Sequence, residues 1–325
     1  QMCIRDRLQL IEGKELQQST QDIQKTYTGV VPLVGLEHRN LHKETAALQS
    51  PQEPETKSDE PKVETLPFCH LHTHTQFSVL QSTISVQKLV EETVAMNMPA
   101  VAITDIGNLM GAFHFVKAVN QHNKSIQEGE GKLIKPIIGI TLNVCKNHVD
   151  RSHRDDGHQI VLIAKNKKGY HNLAKLTSIA HTKGFYYVPR VDRDIILSYK
   201  DDLIVLTGNL YGEVPYKVLN VGAQQAEESL LWWKEHFGFD LYIEIMRHNQ
   251  EDETRVNTTL VEMAKKHNVK IIATNCCYYL KKEEANAHDI LLCVKEGEKQ
   301  STPIGRGRGY RHGLPNQEYY FKSPQ

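Results

Sequence analysis

Short continuous apolar runs alternate along this chain with segments whose apolar residues recur near a helical period. Ala100-Val101-Ala102-Ile103-Thr104, Gln159-Ile160-Val161-Leu162-Ile163-Ala164, Leu203-Ile204-Val205-Leu206 and Lys270-Ile271-Ile272-Ala273-Thr274 are of the first kind. Runs apolar on successive residues mark strands covered on both faces. Further strands are predicted over 136–144 and 241–245. Val86, Leu89, Val90, Thr93 and Val94 follow a helical period and predict a helix over 86–96. Similar patterns predict helices over 109–120, 170–181, 223–236, 253–267 and 283–294. Repeated βα units with short apolar strands argue for a parallel sheet, open or closed into a barrel.

The pattern fails at the two ends. Residues 1–48 read as the tail of a preceding domain or an N-terminal extension, too short to bury much core alone. Residues 49–66 are Pro, Glu, Lys and Ser with almost nothing apolar, a disordered linker by composition. Residues 67–300 hold the βα pattern, and 301–325 form a basic Gly/Arg loop and a connecting stretch. With no closing element after Phe321-Lys322-Ser323-Pro324-Gln325, the chain reads as a piece of a longer protein.

Composition narrows the class without deciding it. In 325 residues, Lys+Arg and Asp+Glu are both 39, so bulk charge nominates no nucleic-acid partner, and DNA contact would need a local patch. Cys3, Cys69, Cys145, Cys276, Cys277 and Cys293 form no CxxC pair, which predicts reduced thiols in a cytoplasmic protein. No apolar run is long enough to span a membrane, and no signal peptide is visible.

The stretch Phe68-Cys69-His70-Leu71-His72-Thr73-His74-Thr75-Gln76-Phe77-Ser78 carries the candidate chemistry. Read as a strand over 68–74, it places His70, His72 and His74 on one face. A buried row of imidazoles is costly unless the rings are hydrogen-bonded or hold a metal. Core or surface histidines in a chain with 17 of them are the alternative.

This stretch resembles the first motif of the polymerase and histidinol phosphatase (PHP) domain. Thr104-Asp105-Ile106-Gly107-Asn108-Leu109-Met110-Gly111 resembles its second motif and Lys135-Pro136-Ile137-Ile138-Gly139-Ile140-Thr141 its third. With residues 158–176, 205–215, 273–280 and 288–293, the chain is similar over about 67–325 to the PHP domain at the head of bacterial replicative DNA polymerase III alpha subunits. Residues 8–48 resemble the segment following a fused proofreading exonuclease in some of them.

The resemblance implies a distorted (β/α)7 barrel with a metal cluster of nine ligands at the strand ends. It carries metal-binding roles to His72, His74 and His158. Elsewhere the sequence departs: Gln81 stands for an Asp, Ile106 for a His, Thr141 for a Glu, Asn209 for a Cys or His, and Cys276 and Tyr278 for an Asp and a His. Adjacent hard cations need bridging carboxylates, so the site reads as a metal-free remnant. A single Zn²⁺ on His72, His74, His158 and Cys276 is the alternative. Asp105 and His70 are expected behind the ligands, with Asp105 capping the Gly107-Asn108 turn or orienting a histidine.

Arg306, Arg308 and Arg311 lie in a Gly-rich loop able to fork onto phosphates, or else in a solvated connection. Trp232-Trp233 suggests one core ring and one facing a neighbour. The expected function is the N-terminal region of a replicative polymerase, bracing its core and docking a proofreading exonuclease, fused or separate. Other replicase subunits and DNA, through the whole protein, are the implied partners. Mg²⁺ for polymerisation would act outside this chain. A metal-dependent phosphoesterase or 3′–5′ exonuclease with a reduced zinc site, and a stand-alone binding module, are the competing readings.

Overall fold

The computed structural model describes residues 68–127, 131–305 and 307–324. The expected extension at 1–48, the linker at 49–66 and Arg306 lie outside the described residues. Among the described residues seven strands are formed: β1 (Ala100–Ile103), β2 (Lys135–Val144), β3 (His158–Ala164), β4 (Arg190–Val191), β5 (Leu203–Leu206), β6 (Leu241–Met246) and β7 (Lys270–Thr274). Eight α-helices accompany them among the described residues: α1 (Val86–Ala95), α2 (Ala112–Gln127), α3 (Lys167–Thr182), α4 (Arg193–Ser198), α5 (Glu213–Asn220), α6 (Ala223–Phe237), α7 (Glu251–His267) and α8 (Ala285–Glu296).

The sheet runs β1-β2-β3-β5-β6-β7, with β4 paired to β2. It is mixed rather than all parallel. β3 runs antiparallel to both β2 and β5 because only a loop, with no crossover helix, separates β2 from β3. This reversal puts the start of β3 at the rim where the other strands have their C-terminal ends.

The sheet curls, and the histidine segment joins its two edges. The Ala102 and Thr104 amides donate to the carbonyls of His70 and Thr73, while Cys277 exchanges hydrogen bonds with His72 O and His74 N. The segment is not the regular strand its pattern predicts: only Thr73 forms a bridge, to Cys277. Two residues on β1 span three on the histidine segment, a bulge at Leu71–His72. The result is a distorted α/β barrel.

Side-chain layers follow from this geometry. Cys69, Leu71, Ala102, Ile137, Val161, Ile163 and Leu206 fill the interior. Alternate residues, such as Ile140, Leu162, Val205 and Ile243, face outward onto α3 and α5–α7. Val101 and Ile103 meet α1 and α2 on the remaining outer side.

Local chemistry sets the element ends. Ser85 caps α1 by accepting from the Lys88 amide, and Asp192 caps α4 through the Ile195 amide. Helix α7 opens on Glu251, Asp252 and Glu253 and closes on Lys265, Lys266 and His267, opposing its dipole at both ends. Arg190, fully buried, donates to the carbonyls of Gly184, Asp155, His148 and Asp150, pinning the β2–β3 loop to β4.

Glu213 ties three helices together. It accepts from Arg193 at 2.7 Å, Lys217 at 2.8 Å and the Trp233 indole at 3.1 Å. Trp233 is core, while Trp232 lies under the Arg193 guanidinium at 4.1 Å. Burial alone would raise the Glu213 carboxyl, but Arg193 and Lys217 bring it down to about 2. Below the unfolded carboxylate value the unfolded chain takes a proton that the folded chain refuses until about pH 2. Stability is therefore lost as pH falls from roughly 4.5 toward 2, by up to about 3 kcal/mol from this group. Urea unfolding of the wild type and Glu213→Gln should differ above pH 5, with the gap closing toward pH 2–3.

Candidate metal centre

The bulge decides which histidines meet. Leu71 and His72 both turn inward across it, and His74 follows two residues later, so His72 and His74 share the interior, their ring centroids 5.1 Å apart. His70 is left on the outer side. There its Nε2 donates to the Lys322 carbonyl, its Nδ1 faces the Cys277 sulfur at 3.4 Å, and its ring lies on Phe321. Burial pushes this imidazole down to about 4. The expectation of three rings on one face thus fails by one residue of register, and His70 braces the departing chain rather than the other histidines.

Cys276, just past β7, completes the inner group. The ligand atoms of His72, His74 and Cys276 all lie within 4.8 Å of one another, and all three side chains are buried. The Cys276 sulfur is 3.5 Å from His74 Nε2. Its backbone N–H donates to His248 Nε2, whose Nδ1 donates to Glu253 at 2.6 Å. Tyr319 stacks flat on His248 at 4.1 Å, and Tyr278 stacks on His74 at 4.6 Å.

Both inner histidines are oriented from behind. His74 Nδ1 donates to the Thr104 carbonyl and His72 Nδ1 to Glu244 Oε1, both at 3.0 Å. Glu244 Oε1 also accepts from Thr274 at 2.6 Å. Burial opposes charge on the His72 ring, but Cys276 and Glu244 beside it carry its pKa well above the ordinary value. Burial likewise opposes a Cys276 thiolate, and His72 and His74 pull its pKa well below the usual thiol range. Glu244 was not anticipated. Its signal in the sequence is a lone carboxylate inside the apolar run Leu241-Tyr242-Ile243-Glu244-Ile245-Met246.

The other expected site residues are placed elsewhere. His158 is outside the inner group: its ring lies 4.7 Å from Tyr216 of α5, on the outer face of β3. Its neighbour Gln159 is the one that meets Asn209, which in turn reaches the Cys276 sulfur at 3.9 Å. Asp105 orients no histidine and does not cap the Gly107–Asn108 turn. It accepts from Thr75 N at 2.6 Å, Thr75 Oγ1 at 2.8 Å and Ser78 Oγ at 2.7 Å, closing the turn that follows the histidines. Gly111 makes room for it: a Cβ there would meet Phe77 at 2.9 Å and Asp105 Oδ2 at 3.0 Å. Thr141 donates its hydroxyl to the Thr104 carbonyl, and Gln81 accepts from Lys295 on its side-chain oxygen and from the buried His288 on its backbone carbonyl.

Arg311 is corrected as a phosphate contact. It is buried, forks onto Asp289 at 2.6 and 2.9 Å, and donates to the carbonyls of Thr302 and Gln300. Arg308 is exposed.

The PHP domain family profile matches residues 70–248. The chain belongs to the PHP domain family. This PHP chain is 35% identical over 262 residues to the DNA polymerase III subunit alpha of Borreliella burgdorferi, covering 79% of this chain and 21% of that protein. It is 37% identical over 267 residues to the one from Aquifex aeolicus, covering 79% and 22%. The chain spans about a fifth of the length of these curated relatives. In fold it is similar to a protein of the metal-dependent phosphoesterase type from Bifidobacterium adolescentis, at 13% identity and a TM-score of 0.40 over 75% of this chain and 92% of that one.

A multi-ion cluster of the kind the PHP family implies does not fit these residues. Ile106 offers no donor atom, Thr141 spends its hydroxyl on a carbonyl, and Glu244 Oε1 is shared by His72 and Thr274. Among the described residues no carboxylate belongs to the inner group of His72, His74 and Cys276, and adjacent hard cations need a bridging one. One ion on two imidazoles and a sulfur does fit.

Three substitutions test these assignments. Asp105→Asn should lower stability by about 2 kcal/mol, because the amide nitrogen would face donors that now meet a carboxylate. Arg311→Ala should cost roughly 2–3 kcal/mol, while Arg308→Ala stays within about 0.5 kcal/mol. Chemical denaturation of each variant measures both.

Proposed function

We propose that this PHP barrel is the N-terminal region of a replicative DNA polymerase III alpha subunit, whose polymerase chemistry, run with Mg²⁺, is carried by other parts of the protein. Identity of 35–37% to such subunits from several bacteria supports this reading. The barrel's own role in it is structural: it braces the polymerase core and offers a docking surface for a proofreading exonuclease, fused or separate. DNA and the other replicase subunits are the partners of the whole protein, in the cytoplasm. Arg306 and Arg308 are this region's phosphate contacts, since Arg311 is committed to Asp289.

The observation that carries the structural reading is the absence, among the described residues, of a carboxylate beside His72, His74 and Cys276 that could bridge two ions. Phosphoester hydrolysis by this architecture needs a metal-activated water and charge neutralisation on the phosphate by more than one cation. Buried and roofed by Tyr278, the inner group leaves neither provided for. A 3′-labelled primer should therefore release no nucleotide above blank with Mg²⁺, Mn²⁺ or Zn²⁺. Metal-dependent release that His72→Ala and His74→Ala abolish would favour the competing phosphoesterase reading.

A further inference from the structure

One exposed feature of the chain belongs neither to the inner group nor to the core. Residues 299–317 hold Lys299, Arg306, Arg308 and Arg311 and contain no Asp or Glu. Their middle is a narrow loop with a closed base. Ile304 bridges Arg311, the Gly305 amide donates to the Arg311 carbonyl, and the Arg311 amide donates to the Pro303 carbonyl. The Arg311 guanidinium is buried and forks onto Asp289 of α8, which also accepts from Gln300 at 2.9 Å. The loop is thereby tethered to a helix, and the carboxylate at its base is spent.

The tip is built for close approach. Gly307 and Gly309 stand at φ +94° and +87°, and a Cβ on either would meet nothing within 4 Å. Arg308 between them is exposed. Tyr310 is held in place from one side. A Cβ at Gly305 would come within 2.3 Å of its ring, so the bare backbone there is the floor on which the ring lies. The ring is still 52% exposed. Lys295 of α8 is exposed on the same flank: desolvation first, and the Lys295 charge next, lower the pKa of the neighbouring His312.

We propose that this loop is a single-stranded DNA contact, in which an unpaired base stacks on Tyr310 while Arg308 and Arg306 take the flanking phosphates. It rests on the reading of the chain as part of a DNA polymerase, and adds to it the stacking ring and the form of the strand. Every base offers a π-face, so an aromatic ring with one supported side and one open side binds single strands without choosing a sequence. A duplex gives that ring nothing, because its bases are already stacked. The tip also lacks the helix or two-stranded ribbon that enters a major groove. An acidic peptide would meet the arginines alone, whereas a base gives Tyr310 a flat partner. The glycines on either side of Arg308 keep other side chains out of the way of the phosphates.

The experiment uses the 325-residue chain and an oligothymidylate of about twenty nucleotides in low salt, about 50 mM. With 5-iodouracil at its centre, long-wave irradiation should cross-link the strand to Tyr310, located by peptide mass spectrometry. By fluorescence anisotropy, Tyr310→Ala should weaken binding about tenfold and Tyr310→Phe should restore it. Arg308→Ala should lower the slope of log affinity against log salt by about 0.7. A duplex of equal length should bind more weakly than the single strand. No binding, a cross-link that avoids residues 304–312, equal affinity for the duplex, or Tyr310→Ala binding like wild type would each overturn the proposal. The wild-type cross-link needs no variant to fold. Primer extension by the complete protein separates the two readings. Extension without binding at Tyr310 keeps the polymerase reading and removes the loop contact, whereas binding at Tyr310 without extension does the reverse.

Discussion

The one-residue bulge at Leu71–His72 is the constraint on which the rest of this barrel depends. Without it, a regular strand would send His72 outward whenever Leu71 packs inward, and the edges of β1 and β7 would be joined by a segment with the wrong side chains inside. With it, Cys69 and Leu71 fill the interior layer, His70 turns out to meet the departing chain, and His72 and His74 turn in toward Cys276. Bulges cost ladder hydrogen bonds and add local twist. Here both are absorbed by two neighbours at once, since the segment bonds β1 on one side and Cys277 on the other.

That geometry makes the polar interior demanding. His72, His74, Asp105, Glu244, His248 and Glu253 are all buried, and each must be satisfied or the fold loses stability. The solution is a set of short exchanges: Asp105 closes the Thr75–Ser78 turn, Glu253 holds His248, His248 holds the Cys276 amide, and Glu244 holds His72 and Thr274. Asp105 and Glu253 spend both oxygens on protein donors, whereas Glu244 spends Oε1 on His72 and Thr274 and leaves a buried Oε2 without a hydrogen-bond partner.

The sheet was legible because its signal is continuous: the strands read as unbroken apolar runs, and β5 and β7 begin and end where those runs do, although β7 is only half-buried with Ala273 exposed rather than covered on both faces. β4, α4 and α5 were not legible. At two, six and eight residues they are too short for any period to show. The site was half legible. His-x-His named His72 and His74, but nothing in the spacing shows a bulge, so His70 was grouped with them. His158 failed for a related reason. On β3 adjacent residues face opposite layers, and it is Gln159 that faces Asn209. Arg311 was misassigned because a basic, Gly-rich run looks the same whether its arginines face solvent or a carboxylate 22 residues away.

Glu244 shows where such reasoning gains most. A carboxylate within an apolar strand run has no inexpensive place in a barrel interior unless a cation, a donor pair or a metal-bound histidine stands opposite. Its position in the run therefore predicts a basic or metal-bound partner from the sequence alone. Here that partner is His72, with Thr274 as the second donor. Burial opposes a proton on the His72 ring, and Cys276 on one side and Glu244 on the other raise its affinity for one. An acid sealed in an apolar layer is stable only beside groups that can share its charge, and the pairing of Glu244 with His72 and Thr274 is how this interior meets that demand.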